Sequence, residues 1–231
     1  VCSSDLAVLG KANRLALGGV SRIATSFSST RRLKERDGLT RLVGNPVREQ
    51  VRVLRVSPYR APATDRTVDL LVFGGSQGSA SFSQVVPSAI LSLPAPLRAR
   101  LRLVQQCRAE DIGRVRLRYK EGGIVAELGT FFADLPQRLA AAHLVIGRSG
   151  ASTVAELAVI GRPSILVPYP FAADDHQLAN ARAFEATGAC IVLPHADFKP
   201  ASLAAQLAAL LEDRKSTRLN SSHANISYAV F

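Results

Sequence analysis

From residue 68 onward, short apolar runs alternate with longer stretches of helical period. Strands are predicted from the apolar runs at 68–73, 101–104, 124–125, 144–146, 164–167 and 190–193. Helices are predicted between them, at 80–93, 111–120, 134–142, 150–160, 174–187 and 200–212. This alternation is typical of a parallel sheet covered by helices on both faces. We therefore predict an α/β, Rossmann-like fold that binds its ligand at the carboxyl ends of the strands.

Residues 7–66 follow a different pattern. One helix is predicted over 13–24, running into a short strand over 23–27, and residues 43–48 (VGNPVR) are rich in turn formers. We place a domain boundary near 40–50. The expected organisation is the end of one domain and its linker over 7–45, followed by the main domain over 46–212.

The two ends of the chain are foreign in character. Residues 1–6 (VCSSDL) and 213–231 (DRKSTRLNSSHANISYAVF) resemble translated sequencing adapters, and segments of this kind are excluded from fold reasoning. The 231 residues include no Met. We therefore expect a fragment whose natural part is 7–212.

Composition and charge narrow the function. Hydrophobic residues make up 47% and the net charge is +11, which indicates a globular, basic chain. Residues 7–66 carry most of the excess positive charge, with 13 basic and 4 acidic residues. Residues 67–212 have 13 basic and 12 acidic residues. A basic surface of this kind can bind phosphate groups or an anionic membrane; the alternative is a charged surface that is only solvated. Aromatic residues are only 6% and Trp is absent, so nucleic acid is not an expected partner.

Three widely spaced cysteines exclude a disulfide scaffold and a Cys-based zinc site, and favour a reducing compartment. The histidines of 7–212 (His143, His176 and His195) lack the spacing of metal ligands. Apolar runs of the length that a membrane-spanning helix needs are also lacking. Neither a metal nor a cofactor is therefore expected.

Two glycine turns each join a predicted strand to a predicted helix. The first is 74–79 (GGSQGS) and the second is 147–156 (GRSGASTVAE). In the second, Ser149 or Ser152 can cap the helix, and the free amides at 151–153 form a cradle for an anion. Glu156 lies one turn further along. A carboxylate there can accept hydrogen bonds from two ribose hydroxyls; the alternative is that its charge only stabilises the start of the helix through the helix dipole. Together the two turns indicate a diphosphate ligand.

A third polar motif, Asp174-Asp175-His176-Gln177, opens another helix. Gln177 can bind sugar hydroxyls through its side-chain amide; the alternative interpretation is an ordinary helix start with Asp174 as its N-cap. A catalytic triad of Ser149, His176 and Asp174 is disfavoured, because two residues of separation orient an imidazole poorly.

GGSQGS, GRSGASTVAELAVIGRPSILVPYP and DDHQLANA, together with VGNPVR, resemble the MurG family of peptidoglycan N-acetylglucosaminyltransferases. The resemblance covers 7–212 and implies the C-terminal, donor-binding half of a two-domain GT-B enzyme. It implies inverting transfer of N-acetylglucosamine from UDP-N-acetylglucosamine to lipid I, which forms lipid II. It also implies a peripheral location on the cytoplasmic face of the bacterial inner membrane.

The resemblance assigns site residues in this chain. Donor-binding roles fall on Arg48, Ser76, Phe132 (through its backbone, at the uracil), Ala151, Ser152, Thr153, Val154, Ala155, Glu156 (on the ribose) and Gln177 (on the sugar hydroxyls). The catalytic base of the family belongs to the half that is missing here, so the catalytic residue stays unknown and the fragment alone is expected to be inactive. Two alternatives are another GT-B enzyme that uses a UDP-sugar, and a non-catalytic nucleotide-sugar module completed by a partner.

Overall fold

The computed structural model describes residues 2–4, 7–27, 30–33, 38–56, 59–63, 66–75 and 80–212, with the backbone alone for 2–4. The presumed adapter sequence at 213–231 lies outside the described residues, as do 76–79 of the first glycine turn.

The described strands form two parallel sheets. A three-stranded sheet has the order β1-β2-β3 and a six-stranded sheet has the order β6-β5-β4-β7-β8-β9. The strands are β1 (Cys2–Ser4), β2 (Ile23–Thr25), β3 (Thr40–Leu42), β4 (Val68–Phe73), β5 (Leu101–Gln106), β6 (Ala126–Gly129), β7 (Leu144–Gly147), β8 (Ser164–Leu166) and β9 (Cys190–Val192). Residues 43–48 connect the last strand of the small sheet to the part of the chain that builds the large one.

The order of the large sheet sets the place of a ligand. From β4 the chain moves outward through β5 to β6, then returns to the other side of β4 with β7 and continues outward to β9. The direction of winding therefore reverses between β4 and β7. In open parallel sheets, ligands bind outside the carboxyl ends of the strands at such a reversal.

Helices cover both faces of the large sheet, as predicted. The helices of the described residues are α1 (Lys11–Ala16), α2 (Glu49–Arg52), α3 (Ala80–Leu91), α4 (Ala95–Arg98), α5 (Ala109–Glu121), α6 (Leu135–Ala141), α7 (Ala151–Ile160), α8 (His176–Glu185) and α9 (Pro200–Glu212). Of these, α1 contacts β1 of the small sheet. Of the helices in the described part of the chain, none is long and apolar enough to cross a membrane.

Alternate residues of the strands supply two separate cores. Leu70 and Val72 of β4 belong to a core with α3, α5 and α9, whereas Leu71 and Phe73 belong to a core with α6, α7 and α8. Successive side chains of a strand point to opposite faces, so an apolar run such as 68–73 needs cover on both sides. The continuous apolar runs in the sequence thus account for the two helical layers.

Two predicted elements differ from the structure. The single helix predicted over 13–24 is wrong: α1 ends at Ala16, a 3₁₀ turn covers Leu17–Gly19, and β2 begins at Ile23. Adjacent glycines at 18 and 19 give a helix little support.

The strand predicted at 124–125 is likewise misplaced, since β6 covers Ala126–Gly129. Gly123 has a positive φ of 67°, and the amide of Ile124 donates back to the carbonyl of Tyr119 in α5. Ile124 therefore still belongs to the helix end.

Candidate functional site

The two glycine turns lie side by side. β4 and β7 are neighbours, and the last pair in their register is Phe73 with Gly147. Gly75, which follows β4, has a φ of 92°, a backbone conformation that residues other than glycine strongly disfavour. Both turns consequently start at the same edge of the sheet, where the winding reverses.

A cavity of about 330 Å³ opens at this edge. Its lining residues are Pro46, Arg48, Phe73, Gly75, Gln106, Phe131, Phe132, Leu135, Ser152, Thr153 and Glu156. Five predicted site residues are among them: Arg48, Phe132, Ser152, Thr153 and Glu156. Residues 46–48, the two glycine turns and the start of α7 thus meet at one cavity. Ser76 lies outside the described residues.

The start of α7 presents backbone amides that lie ahead of the first helical hydrogen bond. Gly150 is the N-cap, with extended backbone and no side chain to cap the helix. The first helical bond runs from the amide of Val154 to the carbonyl of Gly150, at 3.0 Å, so the amides of residues 151–153 precede the helical ladder. Such amides, at the positive end of the helix dipole, bind anions.

The predicted capping of α7 by Ser149 or Ser152 is wrong. Ser149 Oγ donates instead to the carbonyl of Gln177 at 2.8 Å, and Ser152 is exposed at the cavity. Ala151 opens the helix at its N1 position, while Val154 and Ala155 are buried in or against the core.

Glu156 and Arg48 form a two-bond ion pair inside the cavity. Arg48 Nε donates to Oε1 of Glu156 at 2.8 Å and Arg48 Nη2 donates to Oε2 at 3.0 Å. The Glu156 side chain is only 8% exposed, whereas that of Arg48 is 53% exposed. The hydrogen bond to Glu156 is the main cause that raises the pKa of Arg48. The carboxylate is therefore held at the inner end of the cavity.

Phe132 forms an aromatic wall of the cavity. The guanidinium of Arg138 lies 4.4 Å from the centre of its ring, and Arg138 is in turn paired with Glu127 and Asp134. A Cβ on Gly129 would approach Cε1 of Phe132 to 2.8 Å, so only glycine leaves the ring in this position. Phe131, 73% exposed, stands at the mouth.

Gln177 is not among the residues that line the cavity. Its Oε1 accepts from the amide of Tyr169 at 3.0 Å, which ties α8 to the loop that follows β8. The alternative of Asp174 as an N-cap is wrong, because Asp175 occupies that position and Asp174 lies in the preceding 3₁₀ turn. Asp174 pairs with Arg14, at 3.5 Å, and with Arg32.

The described side chains do not form a catalytic triad from Ser149, His176 and Asp174. Ser149 is bonded to a carbonyl, His176 Nδ1 lies 2.7 Å from the carbonyl oxygen of Ala173, and Asp174 is paired with arginines. Within the same described part of the chain, no group of three or more His, Cys, Asp or Glu side chains is placed to hold a metal ion.

Sequence reasoning missed a glutamine that joins two loops of the cavity. Gln106, at the carboxyl end of β5, accepts from the amide of Gly74 at 3.3 Å and donates to the carbonyl of Thr130 at 3.1 Å. The available signal was the pair of glutamines, Gln105 and Gln106, at the carboxyl end of β5.

Sequence reasoning also missed Arg148, a residue of the second glycine turn whose side chain is buried. Its guanidinium donates to the carbonyls of Val167 and Pro168 and to the hydroxyl of Ser81. Burial lowers the pKa of Arg148. Arg148 thus joins the end of β7 to the loop after β8 and to the start of α3.

A larger cavity, of about 400 Å³, lies among the amino-terminal halves of β4 and β5 and the end of α6. Its charged side chains are already paired, Arg102 with Asp69 and Arg138 with Glu127. Its lining residues, all in the described part of the chain, include none from the two glycine turns, so it does not match the predicted site.

Comparison with known proteins identifies the family of this chain. Residues 69–229 match the family described as "Glycosyltransferase family 28 C-terminal domain". A relative from Rhodospirillum centenum, named UDP-N-acetylglucosamine--N-acetylmuramyl-(pentapeptide) pyrophosphoryl-undecaprenol N-acetylglucosamine transferase, is 51% identical over 208 residues, covering 90% of this chain and 55% of the relative. A relative of the same name from Methylobacterium sp. is 53% identical over 206 residues, with 88% and 55% covered. The chain thus spans about half the length of these curated relatives.

The fold is also found among solved structures. The crystal structure of Acinetobacter baumannii MurG superposes with a TM-score of 0.79 at 24% identity, covering 96% of this chain and 61% of that one. This likeness confirms the GT-B architecture, and the sequence matches confirm the resemblance to the peptidoglycan N-acetylglucosaminyltransferases. The chain belongs to glycosyltransferase family 28, and its six-stranded sheet with the glycine-turn cavity is the C-terminal domain of that family.

Proposed function

We propose that this chain is the donor-binding half of an inverting transferase that moves N-acetylglucosamine from UDP-N-acetylglucosamine to lipid I and so forms lipid II. The observation that carries the proposal is the cavity at the reversal of the sheet, where the uncapped start of α7 and the buried carboxylate of Glu156 face one space. An amide cradle beside a carboxylate suits a ligand that joins a diphosphate to a ribose. Relatives about 50% identical carry the corresponding name.

Different residues bind different parts of the donor. The amides at 151–153 bind the diphosphate, Glu156 accepts from the ribose, and the loop of Phe132 holds the uracil. Ser76 and Arg48 complete the nucleotide site, and Gln177 reads the hydroxyls of the sugar at the rim. Residues 46–212 form the donor domain, and 7–45 are the end of the acceptor domain and its linker.

The reaction is a direct displacement. A base of the acceptor half removes the proton of the acceptor hydroxyl, whose oxygen bonds to the anomeric carbon while the bond from that carbon to the diphosphate breaks. Configuration inverts and UDP leaves with the bonding electron pair. The start of α7 stabilises the negative charge that develops on the diphosphate, because its amides are already oriented.

The acceptor is bound to a lipid, so the whole protein acts at a membrane surface. The basic residues of 7–66 support a peripheral position on the anionic cytoplasmic face of the inner membrane, and nucleic acid is not a partner. Sedimentation with vesicles checks this: the chain should bind vesicles with 30 mol % phosphatidylglycerol and not pure phosphatidylcholine. Equal binding to both would contradict the electrostatic account.

A chimera tests the transferase proposal. Residues 7–212 of this chain replace the matching half of the Rhodospirillum centenum relative, and transfer of labelled N-acetylglucosamine to lipid I is measured. We expect transfer by the chimera, loss of transfer in its Glu156→Ala variant, and no transfer by this chain alone. A folded chimera that transfers glucose as readily as N-acetylglucosamine, or transfers neither, would refute the proposal.

A further inference from the structure

The pair of Arg48 and Glu156 uses the acceptor positions that a ribose would need. Arg48 Nε donates to Oε1 of Glu156 at 2.8 Å and Arg48 Nη2 donates to Oε2 at 3.0 Å, so the guanidinium lies across the open side of the carboxylate. Two neighbouring hydroxyls of a ribose would bind a carboxylate through the same two positions. The acceptor positions that remain point to opposite sides. Arg48 and a ribose therefore compete for Glu156.

The charge of the cavity is confined to this pair. Among the described residues that line the cavity, Arg48 and Glu156 are the two that carry a charge, and they are paired with each other. The amides of 151–153 lie within about two turns of Glu156 along α7. A diphosphate bound there would bring several negative charges towards the carboxylate and would attract the guanidinium. The ribose and the diphosphate thus each need a group that the pair holds.

The two side chains differ in their freedom to move. The side chain of Glu156 is 8% exposed and belongs to α7, whereas that of Arg48 is 53% exposed and starts from extended backbone just before α2. An ion pair with one half-exposed partner is weak, and a long arginine side chain has many rotamers. Arg48 can therefore leave the pair while α7 and Glu156 keep their places.

We propose that nucleotide binding exchanges the partners of this pair: the ribose hydroxyls bind the carboxylate of Glu156, and the guanidinium of Arg48 moves to the diphosphate. The inference rests on the proposed function, in which the ligand is a uridine diphosphate. In this account Arg48 opposes binding of the nucleoside and favours binding of the diphosphate. Arg48 thus determines the specificity of the site for a nucleotide over a nucleoside.

Titration with uridine and with UDP separates the two effects, because both carry the ribose hydroxyls and only UDP carries phosphate. In Arg48→Ala, uridine should bind about fivefold more tightly, because its hydroxyls no longer displace a guanidinium. UDP should bind about tenfold more weakly, because its diphosphate loses a charged partner. The preference for UDP over uridine should therefore fall by about fiftyfold. Chemical-shift titration follows both ligands, including weak binding of uridine.

Arg52→Ala is the matched control. Arg52 forms the same kind of two-bond pair, with Glu49 at 2.6 Å for both bonds, but it is exposed and is not among the residues that line the cavity. Its removal should leave both affinities unchanged. Arg48→Lys keeps the charge and pairs less well with a carboxylate, so both affinities should change in the same directions by smaller factors. It replaces Arg48→Ala if circular dichroism shows that variant to be unfolded.

The outcomes are distinct. Uridine that binds Arg48→Ala no more tightly than the unaltered chain, or that binds neither, overturns the exchange and leaves the proposed function standing. Tightening of both uridine and UDP in Arg48→Ala also overturns it, because Arg48 would then not move to the diphosphate. Failure of the unaltered, folded chain to bind UDP overturns the proposed nucleotide site itself, and the inference with it.

Discussion

The backbone amide of Ala7 donates a 2.9 Å hydrogen bond to Oδ1 of Asn180, 173 residues further along the chain. Nδ2 of the same Asn180 side chain donates to the carbonyl of Ser149 at 3.2 Å. Asn180, which is fully buried in α8, therefore connects the segment that follows β1 to the second glycine turn. Together with the pairing of Asp174 with Arg14 and Arg32, it joins the first part of the chain to the site-bearing sheet.

Asn180→Ala should destabilise the protein by about 2–4 kcal/mol, because it leaves a buried amide and a carbonyl without their partner. The shift of the urea midpoint measures this loss when the slope of the free energy of unfolding against urea concentration is unchanged. The exposed Gln137→Ala is the matched control and should stay within about 0.5 kcal/mol of the unaltered chain. If the two variants unfold at the same midpoint, Asn180 does not have this role.

Gly129→Ala should weaken UDP binding by about tenfold, because the added Cβ displaces the ring of Phe132 from the wall of the cavity. Calorimetric titration gives the affinity. Gly113→Ala in α5 meets nothing within 4 Å and should raise stability by up to about 1 kcal/mol without changing the affinity. Unchanged UDP binding in Gly129→Ala would show that the ring position does not matter.

Gln106→Leu should loosen the cavity, because the amide of Gly74 and the carbonyl of Thr130 lose their shared partner. We expect a loss of about 1–3 kcal/mol in stability and weaker UDP binding. Hydrogen exchange of the Gly74 amide is the direct measurement and should become faster. Protection equal to that of the unaltered chain would contradict the link between the two loops.

Thiol chemistry should be slow in the folded chain. Burial raises the pKa of Cys107 to about 11 and raises that of Cys190 as well, and only the thiolate is a strong nucleophile. In a Cys2→Ser variant, iodoacetamide at pH 8 should modify neither thiol until urea is added. Rapid modification of the folded chain would contradict this burial.

The same shift predicts an alkaline loss of stability. The pKa of Cys107 is higher in the folded state than in the unfolded state. The neutral thiol therefore contributes fully to the free energy of unfolding below the unfolded pKa of 9.0, and this contribution is lost as the pH rises towards 11. Urea midpoints of the Cys2→Ser variant should therefore fall over this range more than those of a variant that also carries Cys107→Ala.

The sequence predicted the large sheet well because its signals are local. An apolar run such as 68–73 needs only its own residues to indicate a strand covered on both faces, and a glycine pair after it indicates a turn. The errors occurred where two local preferences compete, as at the glycines that end α1 at Ala16 and at Gly123, which delays β6.

Contacts across the chain explain what sequence reasoning missed. Asn180 has its partner 173 residues away, and Gln106 bonds to loops 32 and 24 residues away. Glu156 was predicted as a ribose ligand, yet its two hydrogen bonds with Arg48 depend on the path of residues 43–48. Periodicity and spacing carry no information on such pairs.

Calorimetric titration of this chain with UDP-N-acetylglucosamine and UDP-glucose tests the central claim most directly. We expect binding that favours the N-acetylglucosamine donor and is lost in Glu156→Ala, while Gly113→Ala binds normally. Absence of binding by the folded chain, or binding that Glu156→Ala leaves unchanged, would contradict a donor site at the start of α7.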